Sequence, residues 1–123
     1  MLTTANIIAF VATAHADRAV AFYRDTLGLR LVSDDGFAIV FDCHGVQLRI
    51  QKVEALQPQP FTALGWTVER IHEEVPALSK RGVVFERYPF LNQDDLGVWH
   101  APSGAKVAWF KDPDGNLLSL TEF

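Results

Sequence analysis

The chain has 123 residues, 49% hydrophobic and 21% charged, the balance of one water-soluble globular domain large enough for a real core. A net charge of -4 and a pI near 5.4, with no Lys/Arg cluster, exclude nucleic acid and an anionic membrane surface as expected partners. No apolar run reaches transmembrane length, and a single Cys43 rules out an internal disulfide and suits a reducing cytoplasm.

Residues 6–13 (NIIAFVAT) read as a first strand, apolar on both faces and so expected to be covered on both sides. The stretch also imitates a leader ending in Ala14-His15-Ala16, but no Lys or Arg precedes it, so a cytoplasmic location is expected. A helix follows from about residue 17, with Val20, Tyr23 and Leu27 as its packing stripe and Gly28 as its stop. Residues 29–33, 37–42 and 46–52 supply three more strands. EALQPQP at 54–60 has no period and reads as a linker between a first module, 1–56, and a second, 61–123.

The second module repeats the pattern. A strand at 62–69 precedes a helix at about 71–80 with Ile71, Val75 and Leu78 inward, in which Pro76 demands a late start or a kink. A strand at 83–87 is followed by the aromatic stretch 88–96 (YPFLNQDDL), which suggests a lid or rim loop. A strand at 97–101 and a hairpin close the chain. The hairpin turn is DPDG at 112–115, with Asp first, Pro fixing φ and Gly leaving. FDCHGVQLRI at 41–50 has the same form, so that Arg49 answers Ser119.

FYRDTLGL at 22–29 and DPDGNLL at 112–118 together resemble the two most recognisable stretches of the vicinal oxygen chelate superfamily, the group of glyoxalase I, bleomycin resistance proteins, fosfomycin-modifying thiol transferases and extradiol dioxygenases. The resemblance covers nearly the whole chain. It implies an α+β fold of two βαβββ modules forming a curved, cup-shaped mixed β-sheet, and a homodimer. It also implies a divalent metal held by His, Glu or Gln from the first and fourth strand of each module. Those places fall on Ile8, Arg49, Ala63 and Ser119, none of them a good ligand, and a slide of one residue restores nothing. Arg49 at about 4 Å from a divalent ion would cost about 8 kcal/mol at an effective dielectric of about 20. No metal and no cofactor is therefore expected.

What remains is a small-molecule site. Gln47, Arg49 and Gln51 alternate along one strand and share a face, offering a planar donor fork to a carboxylate or phosphate. Phe10, Trp99, Tyr88 and Phe90 are expected as aromatic walls, with Ser119 as a further polar contact. The four histidines, His15, His44, His72 and His100, stand at no ligand spacing. His100 alternates with Trp99, so only one of the two can face the cup; if His100 does, it is the candidate acid/base. The first expectation is a metal-free binding protein resembling the bleomycin resistance branch, with an Arg anchor for a planar or anionic ligand. The alternative is a glyoxalase-like lyase, isomerase or dioxygenase-type enzyme acting on a small metabolite through His100 or Asp94/Asp95. A self-filled structural module is a third.

Overall fold

The computed structural model describes residues 1–123. The chain divides into two compact units, Met1–Gln57 and Pro58–Phe123. Each unit is one four-stranded mixed sheet carrying a helix, so the class is α+β.

In the first unit β1 (Ile8–Thr13) leads to α1 (Ala16–Val20), which runs directly into a π-helical segment, Ala21–Thr26. Its wide turns are marked by the Leu27 N–H donating to Phe22 O, five residues back. Then come β2 (Arg30–Asp34), β3 (Ala38–Cys43) and β4 (Val46–Lys52). The sheet order is β1-β4-β3-β2, with β1 parallel to β4 and the other pairs antiparallel. Facing residues alternate by register. Val11, Leu48, Ile50, Ile39 and Phe41 are buried, and the helix covers this face through Ala19 and Tyr23. The Tyr23 ring lies 6.0 Å from that of Phe41. Ala19 and Tyr23 thus form the buried stripe, while Val20 and Leu27 are only half-buried. The opposite face is not closed over at β1, where Ile8 is 48% and Phe10 49% exposed, contrary to the expectation of a strand covered on both sides.

The second unit repeats the order: β5 (Thr62–Thr67), α2 (Ile71–Lys80), β6 (Trp99–His100), β7 (Lys106–Lys111) and β8 (Leu117–Glu122), arranged β5-β8-β7-β6. Helix α2 accommodates Pro76 in its interior. No side chain of the preceding Arg70 caps it; the Ile71 N–H instead donates to Glu122 Oε1 on β8 at 3.0 Å. It ends in a Schellman motif, with Gly82 at φ 96°, the Val83 N–H on Leu78 O and the Gly82 N–H on Ser79 O. Ile71, Val75, Phe110, Leu118 and Val98 form the buried core, with Phe85 and Trp66 rings 5.6 Å and 6.5 Å from Phe110.

The strand expected at 83–87 is reduced to one bridge, Phe85 opposite Phe110, supported by the Glu86 N–H on Trp109 O. Carried on antiparallel, this pairing would set Tyr88 opposite Val107; Trp99 occupies that place. The edge strand is therefore interrupted, the chain leaving at Tyr88 and returning at Trp99. The terminal hairpin follows its sequence signature, with the Gly115 N–H closing the turn on Asp112 O at 3.0 Å. Asp112 Oδ1 accepts the Asp114 and Asn116 N–H groups. The 41–50 hairpin is tighter, with only His44 (φ 50°) and Gly45 (φ 92°) between the paired Cys43 and Val46. No helix is long and apolar enough to cross a membrane.

Candidate functional site

On the first sheet, the face away from α1 carries the rows Phe10–Arg49–Val40, Ile8–Gln47–Asp42 and Gln51–Ala38. Gln47, Arg49 and Gln51 share this face, and Phe10 lies beside Arg49 across the parallel pair. Arg49 is half-buried and forms no ion pair. Its charge adds to the lowering of the Asp35 carboxyl, which the Ala38 and Phe37 N–H groups cause in the main. A planar, half-desolvated cation without a carboxylate partner, next to a half-exposed ring, is a donor fork open to an anion.

On the second sheet, the face away from α2 carries Gly65–Ser119–Trp109, Thr67–Thr121–Val107–Trp99 and Thr62–Leu117–Lys111. Three of the four aromatics expected as walls come together here around a fourth ring, Trp109. Tyr88 meets it edge-on at 5.6 Å, Trp99 lies at 6.1 Å, and Phe90 sits 5.5 Å from Tyr88. Trp109 is held by its Nε1–H donating to Thr62 Oγ1 at 3.1 Å. Alongside runs a cleft of about 320 Å³, lined by Pro58, Pro60, Glu86, Tyr88, Lys111 and Leu117. Burial first, and the Glu86 carboxylate second, push the Tyr88 hydroxyl up, so at neutral pH it remains a donor. Lys111 pairs with Glu86 at 3.2 Å. Sequence reasoning missed Trp109 and Lys111, although strand alternation places both on the Ser119 side.

The positions at which the resemblance implies a metal do not fit one. Ile8 pairs with Gln47 rather than Arg49, and Ala63 falls in a bulge between Thr62 and Leu64. Ser119 is buried against Gly65, where an added Cβ would stand 2.6 Å from its Oγ. One hydroxyl, one guanidinium and two hydrocarbon side chains supply neither imidazole nor carboxylate.

A different set of donors converges on the other face of the second sheet. His100 pairs with Lys106, which pairs with Glu122, and this row shares the α2 side with Leu118 and Leu120. His100 is therefore on the opposite face from Trp99 and Ser119, so the condition set for an acid/base role on the Ser119 side is not met. It meets His72, from the first turn of α2, with ring centroids 5.8 Å apart. Asp94, from the excursion between Tyr88 and Trp99, joins them: its Oδ2 lies 2.7 Å from His72 Nε2 and 3.3 Å from His100 Nε2. Two histidines that spacing left scattered are thus neighbours.

The excursion is tightly pinned rather than a free lid. Gln93 accepts the Tyr88 N–H and donates to Glu86 O and Gly97 O, bridging the gap in the interrupted strand. Arg87 donates to Asp94 O and Asp95 O. Asp94 Oδ1 takes the Leu96 and Val98 N–H groups, which leaves Oδ2 to the imidazoles. Burial alone would raise the Asp94 carboxyl; hydrogen bonds from His72, Val98, His100 and Leu96 outweigh it and bring the pKa to about 2.

Comparison with known proteins agrees with this architecture. A structure of a member of the glyoxalase/bleomycin resistance protein/dioxygenase superfamily from Sphaerobacter thermophilus DSM 20745 superposes with a TM-score of 0.78 at 23% identity, over 100% of both chains. A lactoylglutathione lyase from Agrobacterium tumefaciens gives 0.74 at 20%, covering 97% of this chain and 93% of its own. A glyoxalase family protein from Enterococcus faecalis gives 0.72 at 21%, over 99% and 100%. Likeness at these identities establishes the fold alone, and among curated proteins none matches the sequence. The family model described as Glyoxalase/Bleomycin resistance protein/Dioxygenase superfamily matches residues 5–120, nearly the whole length over which the two sheets and their helices repeat, and the chain belongs to that superfamily.

Proposed function

We propose that the protein binds a planar, anionic small molecule. The Trp109-centred aromatic cluster of the second unit is a stacking surface for a planar ring, and Arg49 with Gln47 is a separate donor set within the first unit, open to an anionic group. The observation that carries this reading is the grouping of Tyr88, Phe90, Trp99 and Trp109 beside the 320 Å³ cleft. Ser119 lies in the same row as Trp109, with its hydroxyl buried beneath that surface against Gly65. The unpartnered Arg49 guanidinium supports the anionic character of the ligand. A homodimer belongs to the same proposal, because β1 is an outer strand with Ile8 and Phe10 half-exposed.

The test is calorimetric titration with 1-naphthoate as probe, followed also by tryptophan fluorescence. Trp109→Ala is expected to weaken binding about tenfold, as removal of a stacking anchor does, and Arg49→Gln tests separately whether the first unit's donors take up the carboxylate. Absence of binding, or binding indifferent to both changes, overturns the reading. The lactoylglutathione lyase among the structural relatives keeps a second reading, a lyase or isomerase acting on a small metabolite. Turnover of a bound metabolite, rather than its retention, would favour it.

A further inference from the structure

We propose that His72, Asp94 and His100 form a binding site for a divalent transition-metal cation of the zinc, cobalt and nickel class. It lies on the α2 side of the second sheet, apart from Ile8, Arg49, Ala63 and Ser119, and stands independently of the ligand reading above.

The three ligand atoms lie within 4.8 Å of one another. A tetrahedral cation with bonds of about 2.0–2.1 Å holds its ligand atoms about 3.3 Å apart. Asp94 Oδ2 and His100 Nε2 already stand at 3.3 Å; His72 Nε2, at hydrogen-bond distance of 2.7 Å, has to move out from Asp94 by about 0.6 Å, and the two imidazole nitrogens, within 4.8 Å of each other, have to settle at that same spacing. Two imidazoles and one carboxylate favour transition ions over magnesium or calcium, which prefer all-oxygen shells.

The supporting contacts are those of a ligand set held in place. Asp94 is oriented through Oδ1 by two backbone N–H groups, and its loop by Arg87 and Gln93. His72 stands in the first helical turn beside Ile71, whose N–H is fixed by Glu122. The two flanking cations are engaged elsewhere, Lys106 with Glu122 at 3.1 Å and Arg87 with backbone carbonyls. The side chains of His72 and His100 are 42% and 54% exposed, so a fourth coordination position opens to solvent. The ion would tie helix, excursion and edge strand together.

The experiment uses the untagged full chain titrated with zinc, cobalt or magnesium chloride, read by calorimetry, melting temperature and the cobalt visible spectrum. Expected are one saturable zinc or cobalt ion per chain with a raised melting temperature, and no response to magnesium. His72→Ala and His100→Ala should each lower affinity by about tenfold or more, whereas Cys43→Ser and His44→Ala, in the first unit's hairpin, should leave it unchanged. Both histidines are exposed, so circular dichroism of these variants should match the parent. X-ray absorption of the zinc-loaded parent, which needs no variant, should report two imidazole ligands. The proposal is overturned by absence of saturable binding, by binding that survives in the His72→Ala/His100→Ala double variant, by binding lost with Cys43 or His44, or by fewer than two imidazoles at the ion.

Discussion

The two units share strand order, parallel pairing and helix placement, yet they differ at the edge next to β3 and its counterpart β7. In the first unit that edge is one strand, β2, paired from Arg30 to Asp34. In the second it is broken between Phe85 and Trp99, and the chain between them carries Gln93 to mend the gap and Asp94 to meet two histidines. An interruption at a sheet edge leaves the core ladder of β5, β8 and β7 intact, which is why the fold tolerates it. The same tolerance lets new donors be added on one face without disturbing the other.

The largest effect that would sharpen the comparison comes from the paired core rings. Phe41 on β3 and Phe110 on β7 are both fully buried, and truncation of either to alanine is expected to cost about 3–5 kcal/mol. Urea denaturation measures the loss, and hydrogen exchange locates it. Loss of protection confined to the unit carrying the substitution marks each unit as its own cooperative element; equal loss in both would break the comparison.

A smaller effect separates the rows Phe10–Arg49 and Gly65–Ser119. The first unit seats a phenylalanine opposite Arg49, whereas a Cβ at Gly65 would come within 2.6 Å of Ser119 Oγ. Gly65→Val is expected to destabilise by about 1–3 kcal/mol, with recovery of part of that loss in the Gly65→Val/Ser119→Ala pair. Absence of recovery would place the crowding on the backbone instead.

The smallest effect compares two aspartates that each hold a turn through two N–H groups, Asp35 and Asp94. Both carboxyls titrate below their ordinary range in the folded chain, Asp94 at about 2. Each therefore adds stability that is complete above the unfolded value and drains away as pH falls through the folded one. For metal-free protein, Asp94→Asn should remove on the order of 1 kcal/mol at neutral pH, a figure reduced for solvent screening, and flatten the loss between about pH 4 and pH 2. Acid titration followed by circular dichroism measures it. Asp35→Asn should act in the same direction over a range just below the ordinary carboxylate value.

Local chemistry made much of this legible. The DPDG turn, the Gly82 stop, the repeat and the shared face of Gln47, Arg49 and Gln51 all depend on near neighbours in sequence or on strand alternation. The strand at 83–87 did not form as expected because its edge pairing is cut off at Tyr88, which no local signal announces. Helix α2 starts at Ile71 with Pro76 inside it, rather than late, and its first N–H is met by Glu122 from another strand, a partner that nothing local announces. The His72–Asp94–His100 cluster was illegible for the same reason. Its members come from a helix, a loop and a strand, and only the register that sets His100 on the α2 side brings them together.

That register has one more consequence. Trp99 takes the pairing place that Tyr88 would have held, and by the same register Val98, fully buried in the core, takes that of Arg87, so Glu86 and Val98 are, in the ladder, next-door neighbours with a loop spliced between them. The eleven residues 87–97 are in that sense removable cargo. A shortened chain joining Glu86 directly to Val98 would give the second unit an uncut edge like that of the first, stripped of Asp94 and of Tyr88 together.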